Sequence, residues 1–149
     1  MQSITILIAE DHRLVRDSWV IMLRDDPRFL VIGETGNGKE AIGLAIEKRP
    51  DVILMDINME PLNGIEATKE LKKVLPGSKI IGLSMHSDPN YAKKMIQIGA
   101  SGYMTKNSPH KELLHAIEEV FKGNIYMRGG KRYPGGTRNF IDENKIEFG

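Results

Sequence analysis

Short apolar runs alternate with amphipathic stretches from residue 4 to residue 122, and this alternation limits the chain to few folds. The runs are ITILIA (4–9), FLVIGET (29–35), DVILMD (51–56), KIIGLSM (79–85) and SGYMTK (101–106). They are bulky or β-branched and do not alternate with polar residues, as expected of strands buried on both faces of a parallel sheet. The stretches between them carry helical periodicity. Leu14, Val15, Ser18, Trp19, Met22 and Leu23 share one face of 12–25; Ala41, Leu44, Ala45 and Lys48 do so in 38–48; Ile65, Thr68, Leu71 and Lys72 do so in 64–74. A fourth helix opens with Asp88 as cap and Pro89 in its first position, and stops at Gly99. A fifth opens with Ser108 as cap and Pro109 first, then places Leu113, Ala116, Ile117, Val120 and Phe121 on one face. Strand–helix units in this order predict an α/β fold, a parallel sheet with right-handed crossovers and helices on both faces.

In such sheets, sites form beyond the carboxyl ends of the strands. The first strand ends in Glu10-Asp11, the third in Asp56, the fourth in Ser84 and the fifth in Lys106. Each residue alone has an ordinary reading: a turn aspartate, a helix-capping acid pair, a buried hydroxyl, a surface lysine. A parallel sheet brings them to one edge. Like charges about 4 Å apart repel by roughly 4 kcal/mol at an effective dielectric of about 20, so three carboxylates there call for a cation. With no cysteine and four scattered histidines, the donors are hard oxygens, which suit Mg²⁺ rather than Zn²⁺. Mg²⁺ commonly shares its shell with phosphate. A carboxylate beside Mg²⁺ and a lysine is a workable nucleophile toward phosphorus, giving an aspartyl phosphate. On this reading Asp56 is the exposed reactive end of a buried strand.

The other features narrow the class. A chain of 149 residues fits one domain, and its net charge of +1 argues against nucleic-acid binding through bulk positive charge. The N-terminus lacks the basic lead and cleavage site of a signal peptide. No apolar run approaches the roughly 20 residues of a membrane span. A cytoplasmic protein is expected. GETGNGKE (33–40) resembles a phosphate-binding loop, but Glu40 stands where Ser or Thr is needed, and it reads as a strand-to-helix turn. His86 reads as a solvated loop histidine. From residue 123 onward no helical period is long enough to define an element, and no helix-turn-helix is visible. The expected division is a domain over 1–127 and a tail or linker over 128–149.

The stretches ILIAEDHRLVRDSW, RPDVILMDINM with Gly64 following, IIGLSMH and IGASGYMTK, in this order, resemble a response-regulator receiver domain of bacterial two-component signalling, of the NarL/FixJ type. The resemblance spans about residues 3–127. It implies a flavodoxin-like fold with five parallel strands in the order 2-1-3-4-5 and five helices. It implies that Asp56 is the phosphoacceptor and that Asp11 directly, and Glu10 through water, hold Mg²⁺ (Mn²⁺ can substitute). The Asn58 backbone carbonyl is implied as a further metal ligand. Ser84 would hydrogen-bond a phosphoryl oxygen and Lys106 pair with another. Tyr103, which also reads as a packing aromatic, would move inward with Ser84. The implied partner is a sensor histidine kinase, with possible homodimers through helix four, strand five and helix five, or through helices one and five. The chain itself would bind no nucleic acid or membrane. Its output, a DNA-binding domain absent from this sequence, is expected to act in transcription, and a stand-alone receiver is the alternative. Glu60, Met85 and Asn107 depart from the family's usual proline, small residue and proline; Met85 is expected to shield the acyl phosphate, and Asn107 to leave the lysine loop without a cis peptide. An aspartyl-nucleophile phosphatase is disfavoured because DINM lacks a second aspartate two residues on. A flavodoxin-like cofactor binder is disfavoured by the acidic end of the first strand.

Overall fold

The computed structural model describes residues 3–85, 89–127 and, for the backbone, 131–134. In chain order the elements are β1 (Ile4–Ala9), α1 (Arg13–Arg24), β2 (Phe29–Thr35), α2 (Gly38–Lys48), β3 (Val52–Asp56), α3 (Gly64–Val74), β4 (Lys79–Ser84), α4 (Pro89–Gln97), β5 (Gly102–Thr105), α5 (His110–Phe121), β6 (Asn124–Met127) and β7 (Lys131–Pro134). The sheet runs β2-β1-β3-β4-β5-β6-β7. Strands β1 to β6 are parallel, and β7 is antiparallel to β6.

The five helices and the order 2-1-3-4-5 match the expectation, but the sheet is wider than five strands. Residues 124–127 add a parallel strand beside β5, and 131–134 pair with it. A four-residue strand is too short to show a period. In β6, Ile125 and Met127 enter one core and Tyr126 the other, which is the two-residue alternation of a strand.

Each face of the sheet has its own core. On one side Leu7, Ile53, Met55 and Tyr103 pack with Ala41 and Ala45 of α2, Ala67 and Leu71 of α3, and Met95 and Ile96 of α4. On the other, Ile6, Ile8, Leu54, Ile81 and Met104 pack with Trp19 and Leu23 of α1 and with Leu113, Ala116 and Ile117 of α5. Strand β3 is buried along its whole length between the two, which accounts for its unbroken apolar sequence.

The ends of the elements aim the site. Asn37 caps α2, accepting from the Lys39 and Glu40 amides, and Asn63 caps α3, accepting from Glu66. The turn into α3 needs glycine: a Cβ on Gly64 would stand 2.2 Å from the Asp56 carbonyl oxygen. The first helix is capped by His12, whose Nδ1 accepts from the Val15 amide, and not by the acid pair. Ser108 does not cap α5; Pro109 holds that position without a side-chain bond, and the Ser108 hydroxyl meets Thr105. The expected cap Asp88 and His86 lie outside the described residues, as does the stretch after residue 134. Gly99 follows α4 with φ of +118°, a conformation open to glycine.

Candidate functional site

The sheet brings Glu10, Asp11, Asp56, Ser84 and Lys106 to the ends of four neighbouring strands. One carboxylate oxygen from each of Glu10, Asp11 and Asp56 lies within 4.8 Å of the others. Lys106 reaches into this cluster. Its Nζ is 2.8 Å from Glu10 Oε1 and 3.1 Å from Asp56 Oδ2.

Asp56 is not the exposed end that the sequence predicts. It is fully buried, as is Glu10. The Lys106 ammonium covers one oxygen, and the Asn58 backbone amide donates to Oδ1 at 2.9 Å. The Glu10 carboxylate accepts from the His12 amide at 2.9 Å. Glu10 Oε1 and Asp56 Oδ2 make no hydrogen bond of good geometry within the protein, although both lie against Lys106. Buried charged oxygens left in this way are costly. Two such oxygens with Asp11 beside them form a hard-donor set that fits Mg²⁺.

The electrostatics are uneven. Burial pushes the Glu10 carboxyl up to about 7, against the opposing pull of Lys106 and the His12 amide. Burial also pushes Asp56 up. There the Asn58 amide, the neighbouring Glu10 and Asp11 and the Lys106 ammonium outweigh it and hold the carboxyl below its usual value. Burial pushes Lys106 down, but Glu10 and Asp56 together raise it above the ordinary lysine value. The cluster therefore favours the charged form of Asp56 and makes Glu10 easier to protonate than an ordinary glutamate.

Ser84 is buried, and its hydroxyl donates to Asn58 Oδ1 at 3.3 Å. This contact through the Asn58 side chain was not foreseen. Tyr103 is 2% exposed. Its ring already lies inward, where a Cβ on Gly82 would stand 3.4 Å from its Cδ2. Its register partner on β6 is Met127. Met85 is largely solvent-exposed and does not pack into the site. The Glu60–Pro61 bond, in the loop expected to depart from its relatives, is the cis peptide among the described residues. Arg16, which sequence reasoning passed over, donates from Nη1 to the Glu10 carbonyl at 2.8 Å. The available signal was a basic residue one turn inside α1, long enough to reach back to the acid pair.

Comparison with known proteins converges on one family. Residues 6–118 match the response regulator receiver domain. The transcriptional regulatory protein DegU of Brevibacillus brevis is 38% identical over 140 residues, covering 94% of this chain and 57% of that protein. The transcriptional regulatory protein LiaR of Bacillus subtilis is 41% identical over 120 residues, covering 80% and 57%. Among solved structures, a LuxR-family two-component response regulator from Aurantimonas sp. SI85-9A1 superposes with a TM-score of 0.78 at 33% identity, covering 82% of this chain and 87% of that one. The chain thus spans little more than half the length of the curated relatives named here.

Proposed function

Because the chain belongs to the response regulator receiver domain family, we propose that Asp56 takes a phosphoryl group from a phosphohistidine of a sensor histidine kinase. The observation that carries this reading is an ionised, buried Asp56 held between the Lys106 ammonium and two further carboxylates. An Asp56 oxygen attacks phosphorus, the phosphorus–nitrogen bond breaks, and the electron pair stays with the departing imidazole. Uptake begins with Lys106 giving way at Asp56 Oδ2 and turning to a phosphoryl oxygen. Ser84 exchanges Asn58 Oδ1 for another. Glu10, Asp11, Asp56 and the Asn58 carbonyl would hold Mg²⁺, which supplies charge neutralisation for the phosphoryl oxygens when bound. Attack by water on the acyl phosphate releases inorganic phosphate and returns Asp56, and the protein acts as a phosphoacceptor whose output is the lifetime of that group.

The new group adds about −1.5 to −2 charge at neutral pH. Its effect is a population shift toward the state in which Ser84 and Lys106 face it. The output is transcriptional, through a DNA-binding domain beyond this chain, as the regulators DegU and LiaR support by likeness. Residues 1–127 are the receiver, and 131–134 extend its sheet as β7. Among the described residues no helix is long and apolar enough to cross a membrane, and a cytoplasmic location follows from the family. Of the two candidate dimer faces, the first helix is favoured: β6 covers the edge of β5, while Leu14 and Ile21 on α1 and Phe121 ending α5 are exposed.

Incubation with acetyl phosphate and MgCl₂ tests the central claim by intact-mass measurement. The expected result is a gain of one phosphate, absent in Asp56→Asn. Sustained turnover without a phosphorylated intermediate would overturn it.

A further inference from the structure

Asp11 is the exposed member of the carboxylate cluster, so its direction depends on the backbone that carries it. The backbone of Glu10 is held at the peptide before it and at the peptide that links it to Asp11. The Glu10 amide donates to the Thr35 carbonyl at 2.9 Å. The Glu10 carbonyl accepts from Arg16 Nη1 at 2.8 Å. Arg16 is itself tied to the end of β2, with Nε 3.4 Å from Glu34 Oε1, yet that buried Nε makes no hydrogen bond. A guanidinium so placed has a solvation cost. Gly36 shapes its bed: a Cβ there would stand 2.8 Å from Arg16 Nη1, 3.4 Å from Asp11 Cα and 3.5 Å from the Glu10 carbonyl oxygen.

We propose that Arg16 is a positioning residue for the metal site, acting through the Glu10–Asp11 peptide, with Gly36 leaving the room that its guanidinium needs. The inference rests on the reading of Glu10, Asp11 and Asp56 as a Mg²⁺ site. Charge and positioning make opposite demands here. A cation near three carboxylates opposes the binding of Mg²⁺, so a purely electrostatic Arg16 weakens the site and its removal tightens it. A positioning Arg16 strengthens the site, because supporting groups around metal ligands typically change affinity by roughly tenfold or more. Lysine keeps the charge but lacks the fork that spans the Glu10 carbonyl and Glu34.

The test is the rise in melting temperature of the unphosphorylated chain with MgCl₂, which reports binding to the folded state without any reaction. In both Arg16→Lys and Arg16→Ala, Mg²⁺ affinity is expected to fall by roughly tenfold. Gly36→Ala, which crowds the guanidinium without changing charge, shifts it in the same direction. Combined with Arg16→Ala it adds little, because both changes remove one contact. Affinity that is unchanged in Arg16→Lys, or tighter in Arg16→Ala, overturns the inference while the metal site stands. A wild-type chain whose melting temperature ignores MgCl₂ overturns the metal reading, and the inference with it.

Discussion

Glu10 and Asp56 share one lysine and are driven in opposite directions, which gives the site a defined pH signature. A glutamate titrates at 4.5 in the unperturbed state and Glu10 at about 7 in the fold, because burial penalises its charge. The folded state binds the extra proton between these values. The Glu10 contribution to stability is therefore complete below the unperturbed value and is lost as pH rises through the folded one. Asp56 runs the other way: its carboxyl is held low, so its contribution is present above the ordinary aspartate value of 3.8 and is lost on acidification. Urea unfolding of the metal-free chain is expected to show a loss of stability from about pH 5 to about pH 7.5, diminished in Glu10→Gln and by saturating Mg²⁺. A stability profile identical in wild type and Glu10→Gln would contradict it. Gly64 supplies a second test at this scale. A Cβ there meets backbone rather than a side chain that can swing away, so Gly64→Ala is expected to destabilise the fold by about 3 kcal/mol in the same assay. That glycine was legible in the sequence because a close turn after Asp56 demands one. The Arg16 contact was not, because nothing in an isolated helix says where a long side chain folds back.

Among the elements, β6 decides most about the switch region. It lies where the sequence shows no period that defines an element, yet Ile125, Tyr126 and Met127 are buried. Its Asn124 side chain donates to the buried Glu119 of α5 at 3.2 Å, and the Tyr126 ring meets His115 edge-on. Gly102 on β5 lets the strand approach: a Cβ there would stand 3.1 Å from the Tyr126 carbonyl oxygen. Ile125→Ala is therefore expected to cost about 2–5 kcal/mol, as a core truncation does, where a solvated tail would lose almost nothing. Chemical denaturation of the two chains separates these outcomes. The same strand sets Met127 beside Tyr103, so the aromatic is enclosed before any phosphoryl group arrives. The main strands were legible because five bulky apolar runs alternate with helical periods, and their order in the sheet was implied by the family resemblance. Strand β6 was not, since four residues carry no period and only burial against α5 and β5 defines them.

For the molecule as a whole, both faces of the sheet leave apolar side chains outside. The α1–α5 side exposes Leu14, Ile21 and Phe121 and the other side Ile46, Val74 and Tyr91, but the β5 edge between α4 and α5 is taken by β6. Dimerisation of the phosphorylated chain is thus expected to use α1. Ile21→Lys should leave phosphoryl uptake unchanged and prevent the dimer in sedimentation velocity; a dimer that persists in this variant would redirect attention to α4 and α5.

The sequence by itself determined the α/β alternation, the family, and which acids, hydroxyl and lysine stand at the strand ends. The alternation follows from local periodicity, the shared edge from strands that run parallel, and the family from the motifs at those strand ends. Tertiary structure alone decided that Asp56 is enclosed, that Glu10 is raised above an ordinary carboxyl, that Arg16 holds the Glu10 carbonyl and that β6 runs beside Tyr103. Each of these depends on desolvation or contact between residues that only the assembled sheet and helices bring together. Glu10 and Lys106, 96 positions apart, have no local pattern through which their pairing could be read.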